Sequence, residues 1–117
     1  MSGPVIQLVF SNAIEGRQDE FNDWYDNVHV PDLLAIPGVL SAHRYELLDT
    51  AINQNPAMPA PTHRYLCIYE MEGDVDAIMA KVQESVLSGG IVMTDAMDVM
   101  ESRLSFWSPL GAKVTSA

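Results

Sequence analysis

The strands that this sequence predicts are apolar on both faces. In the first strand Val5 and Val9 alternate with further apolar residues, and the third repeats the pattern around Tyr65, Cys67 and Tyr69. The alternating residues are Ile6, Leu8 and Phe10 in the first strand, and Leu66 and Ile68 in the third. Because successive side chains of a strand point to opposite sides, both sides of the sheet need shielding from water. Helices can cover one side, and a second copy of the chain is the simplest cover for the other.

The order of the apolar segments predicts the fold class. Strands are predicted at 5–10, 39–48, 63–71 and 100–108, and helices at 17–28 and 75–86. We expect the first regular helix to stop or kink near residues 29–30, because Pro31 removes an N–H donor and crowds the preceding turn. Asp74 can cap the second helix, and Gly89 can end it. This order indicates an α+β fold, a ferredoxin-like βαββαβ sandwich with two helices on one face of a four-stranded antiparallel sheet.

Composition and charge argue against several classes of protein. The 117 residues suit a single domain spanning 1–117. Sixteen acidic against six basic residues give a net charge of −10, so neither nucleic acid nor an anionic membrane surface is an expected partner. Cys67 has no second cysteine to pair with, which favours a reducing compartment. Residues 1–5 lack the basic and apolar segments of a secretory signal, so we expect a cytoplasmic protein.

The end of the first helix carries the main candidates for chemistry. Tyr25 and His29 are four residues apart, so they are neighbours on one helix face. The helix dipole favours a protonated His29 and burial favours the neutral ring, and the sequence leaves both open. In either form His29 can transfer a proton near neutral pH, with Tyr25 or Asp32 orienting one ring nitrogen. The alternative interpretation is that His29 caps the helix while Tyr25 packs in the core.

The two central strands supply further candidates. Alternation places His43 with Tyr45 on one face of its strand, and His63, Tyr65 and Tyr69 on one face of the next. If these faces look toward the first helix, they close a mostly apolar pocket around His29. An ordinary half-buried sheet surface is the alternative. We expect Arg44 with Glu46, and Arg64 with Glu70, to form cross-strand ion pairs or dimer contacts rather than an anion-binding site. Residues 50–62 form a proline-containing loop that is a candidate lid. No metal-ligand spacing occurs, so no bound metal is expected.

One segment resembles a known family. The pattern Phe21-x-x-Trp24-Tyr25-x-x-x-His29-Val30-Pro31-Asp32-Leu33, followed by Pro37-Gly38-Val39 and Arg44-Tyr45, is similar to the dimeric α+β barrel superfamily, and in particular to its EthD-like branch. The resemblance implies a ferredoxin-like protomer whose sheet packs on that of a second copy. It also implies a pocket between helices and sheet, with His29 as the functional residue. Enzymes of this superfamily include cofactor-free cyclases, isomerases, dehydratases and monooxygenases of aromatic or polyketide-like compounds.

Together these observations predict a homodimeric, cofactor-independent enzyme that acts on a small hydrophobic, aromatic or phenolic substrate by proton transfer, as a lyase, isomerase or cyclase. His29, Tyr25 and Tyr65 are the predicted catalytic residues. The predicted substrate-binding residues are Trp24, Asp32, His43, His63 and Tyr69. Two alternatives are a non-catalytic dimeric binding protein for a small hydrophobic metabolite and a cofactor-free monooxygenase.

Overall fold

The structure is a computed structural model that describes residues 4–117. The expectation about a secretory signal falls partly on residues 1–3, which lie outside the described residues. The described chain contains a four-stranded antiparallel sheet in the order β2-β3-β1-β4. Its strands are β1 (Val5–Ser11), β2 (Val39–Glu46), β3 (Tyr65–Met71) and β4 (Arg103–Trp107). The predicted ferredoxin-like α+β fold is confirmed.

The first helical segment is longer than predicted. It consists of α1 (Gln18–Trp24), a π-helical turn (Tyr25–His29) and α2 (Val30–Leu34), joined without a break in helical backbone angles. The predicted stop near residues 29–30 is wrong, but the regular α-helical pattern is interrupted there by the π-helical turn. The Val30 N–H donates to the Tyr25 carbonyl, five residues back, so the hydrogen-bonding pattern resets before Pro31. Pro31 then lies in the first turn of α2, where a missing N–H costs little.

The second long helix follows its sequence signals. Helix α3 (Val75–Ser88) begins at Asp74, whose carboxylate accepts hydrogen bonds from the N–H groups of Asp76 and Ala77. It ends at Gly89, which has a left-handed φ of 86°. Both predicted caps are therefore confirmed. In the described chain no helix is both long and apolar enough to cross a bilayer.

The strand ends differ from the predictions by a few residues. Strand β2 stops at Glu46, which pairs with Tyr65, the first residue of β3. One further hydrogen bond, from the Leu47 N–H to the Arg64 carbonyl, closes the hairpin before the long loop begins. Strand β4 begins only at Arg103 because a short 3₁₀ turn (Val99–Glu101) precedes it. The apolar runs extend past these points, but their backbone has no partner strand there.

Both helices pack on one face of the sheet. The residues of β3 on that face, Tyr65, Cys67, Tyr69 and Met71, are all buried. The opposite face, called the outer face below, carries Ile6, Leu8, Phe10, Leu66 and Ile68, which are only partly buried, together with Trp107, which is 56% exposed. The sheet is thus apolar on both sides, and its outer face is open in the protomer.

Candidate functional site

A cavity of about 180 Å³ lies between the helices and the inner face of the sheet. Strand β1, the first helical segment, α3 and the stretch after α3 all contribute to its walls. Most of its lining is apolar and includes Val9, Leu33, Met79, Val82, Ile91 and Leu104. The polar groups among the lining residues are those of Gln7, Tyr25, His29, Tyr69 and Ser102. This combination of apolar walls and a few polar groups is typical of small-molecule sites.

The π-helical turn places His29 at this cavity. The imidazole stacks on the Trp24 ring, with centroids 4.4 Å apart, and meets the Tyr25 ring edge-on at 5.2 Å. Its Nδ1 atom is buried and has no hydrogen-bond partner in the described chain. Burial lowers the pKa of His29 to about 4, against a smaller opposing effect of Asp32. The ring is therefore neutral at pH 7.

Trp24 and Asp32 fix one wall of the cavity. The Asp32 carboxylate accepts a hydrogen bond from the Val92 N–H at 3.0 Å. The Trp24 indole N–H donates to the carbonyl of the same residue, Val92, at 2.8 Å. These two bonds, called the Val92 clamp below, hold Ile91 and Met93 against the cavity. Asp32 thus bonds to Val92, and not to the His29 ring that it was expected to orient.

Two tyrosines contribute hydroxyl groups that stay protonated. Burial raises the pKa of both Tyr25 and Tyr69 well above the usual value. The Tyr69 hydroxyl is buried without a hydrogen-bond partner of good geometry in the described residues. Its polar neighbours are Tyr25 and the buried thiol of Cys67. Both phenols are therefore neutral hydrogen-bonding groups at physiological pH.

Arg44 packs on the side of Tyr25 that is away from the cavity. Its guanidinium lies 4.4 Å from the centroid of the Tyr25 ring and donates to the side chains of Asp26 at 2.8 Å and Asn22 at 2.7 Å. The predicted ion pair between Arg44 and Glu46 is therefore wrong. The β2–β3 register places Arg44 opposite Cys67, and this position faces the helices.

The second predicted ion pair is also wrong. Arg64 pairs with Glu46 at 2.7 Å, and not with Glu70. Arg64 lies just before β3 and Glu46 is the last residue of β2, so the two side chains meet where the hairpin ends. Glu70 instead accepts a hydrogen bond from Ser41, its cross-strand partner.

Three predicted site residues lie away from the cavity. Tyr65 is buried against Phe21, with ring centroids 5.1 Å apart, and opens to a separate cleft beside Arg44. His43 is on the outer face, where its Nδ1 hydrogen-bonds to the Tyr45 hydroxyl at 3.0 Å. His63 packs on the Phe10 ring and hydrogen-bonds to the Glu101 carbonyl. The cavity thus brings together His29, Tyr25 and Tyr69, and no residue of loop 50–62 lines it.

Gln7 is a cavity residue that the sequence analysis did not single out. It is only 3% exposed and it lines the cavity. The available signal was its position, because Gln7 is a polar residue between Val5 and Val9 on the inner face of β1. For metals, no group of three His, Cys, Asp or Glu side chains in the described residues is placed to hold an ion.

Comparison with known proteins yields matches among solved structures only. No family model and no curated protein matches the sequence. A proposed monooxygenase from Shewanella loihica PV-4 aligns over 96% of this chain and 99% of its own, with 12% identity and a TM-score of 0.62. A mutant of MhuD, crystallised with two manganese protoporphyrin IX molecules per active site, aligns over 96% and 100%, with 13% identity and a TM-score of 0.65.

A third structure is an ethyl tert-butyl ether D (EthD) family protein from Bacillus halodurans C-125. It aligns over 96% of this chain and 100% of its own, with 19% identity and a TM-score of 0.57. The chain shares its fold with these three structures, in agreement with the fold that the sequence resemblance implies. At these identities the likeness concerns the fold alone and carries no statement about activity.

Proposed function

We propose that this protein is a cofactor-independent enzyme that acts on a small aromatic or phenolic compound by proton transfer, as an isomerase, cyclase or lyase. The observation that carries the proposal is the neutral imidazole of His29, which has no partner on Nδ1 and lies at an apolar cavity. A buried polar atom without a partner is costly, and a ligand bound in the cavity can supply the missing contact to His29.

The chemistry follows from the protonation states in the cavity. Neutral His29 can accept a proton from an acidic carbon or hydroxyl of the substrate and become an imidazolium ion. The substrate is left with a negative charge. This charge stabilises the imidazolium ion and so offsets the burial that otherwise disfavours a charged His29 ring. The Gln7 amide and the tyrosine hydroxyls can donate hydrogen bonds to the anionic oxygen. Return of the proton to a different atom completes an isomerisation without any oxidant.

Replacement of His29 tests this role. A panel of enolisable and phenolic aromatic compounds is incubated with the protein, and conversion is followed by absorbance and by NMR. His29→Asn should lower turnover by at least about 100-fold, the usual contribution of a general acid or base. His43→Asn, on the outer face, is the matched control and should retain turnover. Equal activity of wild type and His29→Asn would refute the proposal.

A cofactor-free monooxygenase is the second candidate, because a proposed monooxygenase is among the structural neighbours. In this case an electron-rich phenol would react with molecular oxygen, and turnover would consume oxygen. Conversion under anaerobic conditions would exclude it. A non-catalytic binding protein is the remaining alternative, and it predicts stoichiometric retention of unchanged ligand with little effect of His29→Asn.

The outer face supports a proposal about assembly. Its half-buried aliphatic residues, together with Trp107, make one apolar surface on the side of the sheet away from the helices. A self-complementary apolar surface is suited to a two-fold partner. We propose that a second copy of the chain covers it, so that the two cavities lie on the outside of the dimer.

A further inference from the structure

We propose that the cavity beside His29 selects an uncharged single-ring aromatic compound with one hydrogen-bonding oxygen group, such as a phenol, and rejects carboxylates of the same shape. This inference rests on the proposed function, because it takes the cavity to be the substrate site. It adds the charge and the size of the ligand.

The cavity offers nothing to balance a negative charge. Within residues 4–117 no lysine or arginine lines it. The guanidinium of Arg44 lies against the Tyr25 ring and is already bonded to Asp26 and Asn22. The His29 ring is neutral at pH 7, since burial brings its pKa to about 4. A carboxylate that entered would lose its hydration without gaining a cation, which is strongly unfavourable.

The polar groups that are present suit a neutral oxygen. The Gln7 amide supplies both N–H donors and a carbonyl acceptor, and the hydroxyls of Tyr25 and Tyr69 remain protonated. A phenolic hydroxyl can donate to one such group and accept from another. These residues are neutral, so they impose no preference for an ionised ligand.

The volume limits the ligand to about one ring. The cavity measures about 180 Å³, and an apolar protein cavity of roughly 150 Å³ binds benzene. Sites for drug-sized ligands are larger, at roughly 300–1,000 Å³. A substituted single ring therefore fits, whereas a multi-ring compound would require the walls to move.

Calorimetry at pH 7 with four probes tests the inference. The probes are para-cresol, para-toluamide, para-toluate and toluene, and the NMR signals of the His29 ring report whether binding occurs at the cavity. The amide and the carboxylate have nearly the same shape and differ in charge. We expect para-toluamide and para-cresol to bind at least about ten-fold more tightly than para-toluate.

A variant that adds a cation provides the converse test. Met93 lines the cavity and is 45% exposed, so Met93→Lys can place an ammonium group at the edge of the cavity without burying it fully. It should strengthen para-toluate binding at least about five-fold relative to para-toluamide binding. Met100→Lys is the control, because Met100 is exposed and does not line the cavity.

The outcomes separate the two proposals. Equal binding of para-toluate and para-toluamide at the cavity by the wild type would overturn the charge selection and leave the proposed function standing. Failure of every probe to perturb the His29 signals would overturn the cavity as the aromatic substrate site, and the proposed function with it.

Discussion

Gln7 and His29 share a property that is uncommon in protein interiors. Each is a polar side chain at the cavity: Gln7 is only 3% exposed, and the Nδ1 atom of His29 is buried without a hydrogen-bond partner in the described chain. Most buried polar atoms are hydrogen-bonded, and an exception lowers the stability of the folded state. Residues that contribute to ligand binding can be retained at such a cost. Replacing either polar side chain by an apolar one should therefore raise the free energy of unfolding and weaken ligand binding.

Replacement of Gln7 tests whether stability rises while ligand binding weakens. Gln7→Leu keeps the approximate size of the side chain and removes its amide, so we expect the free energy of unfolding to rise by about 1 kcal/mol. Binding of para-cresol should weaken while that of toluene is unchanged. Urea denaturation and calorimetry measure the two effects. Gln83→Leu, on the exposed side of α3, should change neither; a destabilised Gln7→Leu protein would contradict this prediction.

The lowered pKa of His29 predicts a dependence of stability on pH. The folded state binds a proton only near pH 4, whereas an unfolded histidine does so near 6.5. Between these values the unfolded state holds more protons, so acidification favours unfolding. Relative to His29→Asn, the wild type should lose about 2 to 3 kcal/mol of unfolding free energy between pH 7 and pH 4. Urea denaturation measures the free energy of unfolding of both proteins at each pH. If the two values change in parallel, the prediction is wrong.

At the level of elements, Arg44 ties the first helical segment to β2. It bonds to residues on both sides of Tyr25 and covers the ring of Tyr25 itself. The guanidinium therefore contacts the π-helical turn at its start, opposite the cavity. Because His29 ends the same turn, loss of Arg44 is expected to loosen the residues that present the imidazole.

Two arginine substitutions can be compared directly. The side chain of Arg44 is 17% exposed, whereas that of Arg64 is 61% exposed. Arg44→Met keeps the aliphatic stem and should lower the free energy of unfolding by about 2 kcal/mol through lost charged hydrogen bonds and the lost contact with Tyr25. Arg64→Met breaks only a surface ion pair and should cost less than about 1 kcal/mol. Denaturant titration measures both, and equal losses would speak against the Arg44 assignment.

Sequence patterns predicted the regular elements better than their junctions. The caps of α3 and the alternation in β1 and β3 are local signals, and they were sufficient for element type and order. The π-helical turn could not be predicted, because one additional residue in a turn still leaves Tyr25 and His29 as neighbours on the helix. The partners of Arg44 depend on the register between strands, which includes an irregularity between Val39 and Ser41. The role of the Val92 clamp depends on contacts between residues about 60 positions apart in the chain.

The whole molecule is less compact than its length alone would suggest. The radius of gyration is 15.7 Å, compared with about 13 Å for a compact chain of this size. Its dimensions of 43 × 42 × 23 Å describe a flat body. A flat protomer with an open apolar sheet face has a large surface to bury against a partner.

One charge in the centre of the outer face should disrupt this assembly. Ile68 is on β3, one of the two central strands of the sheet, and its side chain is on the outer face. Ile68→Lys should weaken dimerisation at least about ten-fold, because a lysine would be desolvated in the interface. Light scattering after size-exclusion chromatography measures the mass. Leu87→Lys, on an exposed position of α3, is the control; a monomeric wild type would refute the dimer.

The Val92 clamp gives the cavity walls unequal mobility. On the sheet side, ligand could leave only if continuous hydrogen-bonded ladders separated. On the other side, two hydrogen bonds to the backbone of one residue, Val92, hold the stretch that follows Gly89, whose backbone angles only glycine adopts readily. We therefore expect the easiest passage between solvent and imidazole to run beneath Ile91 and Met93, and the rates of ligand uptake and release to depend on how often the hydrogen bonds of Val92 to Trp24 and Asp32 break.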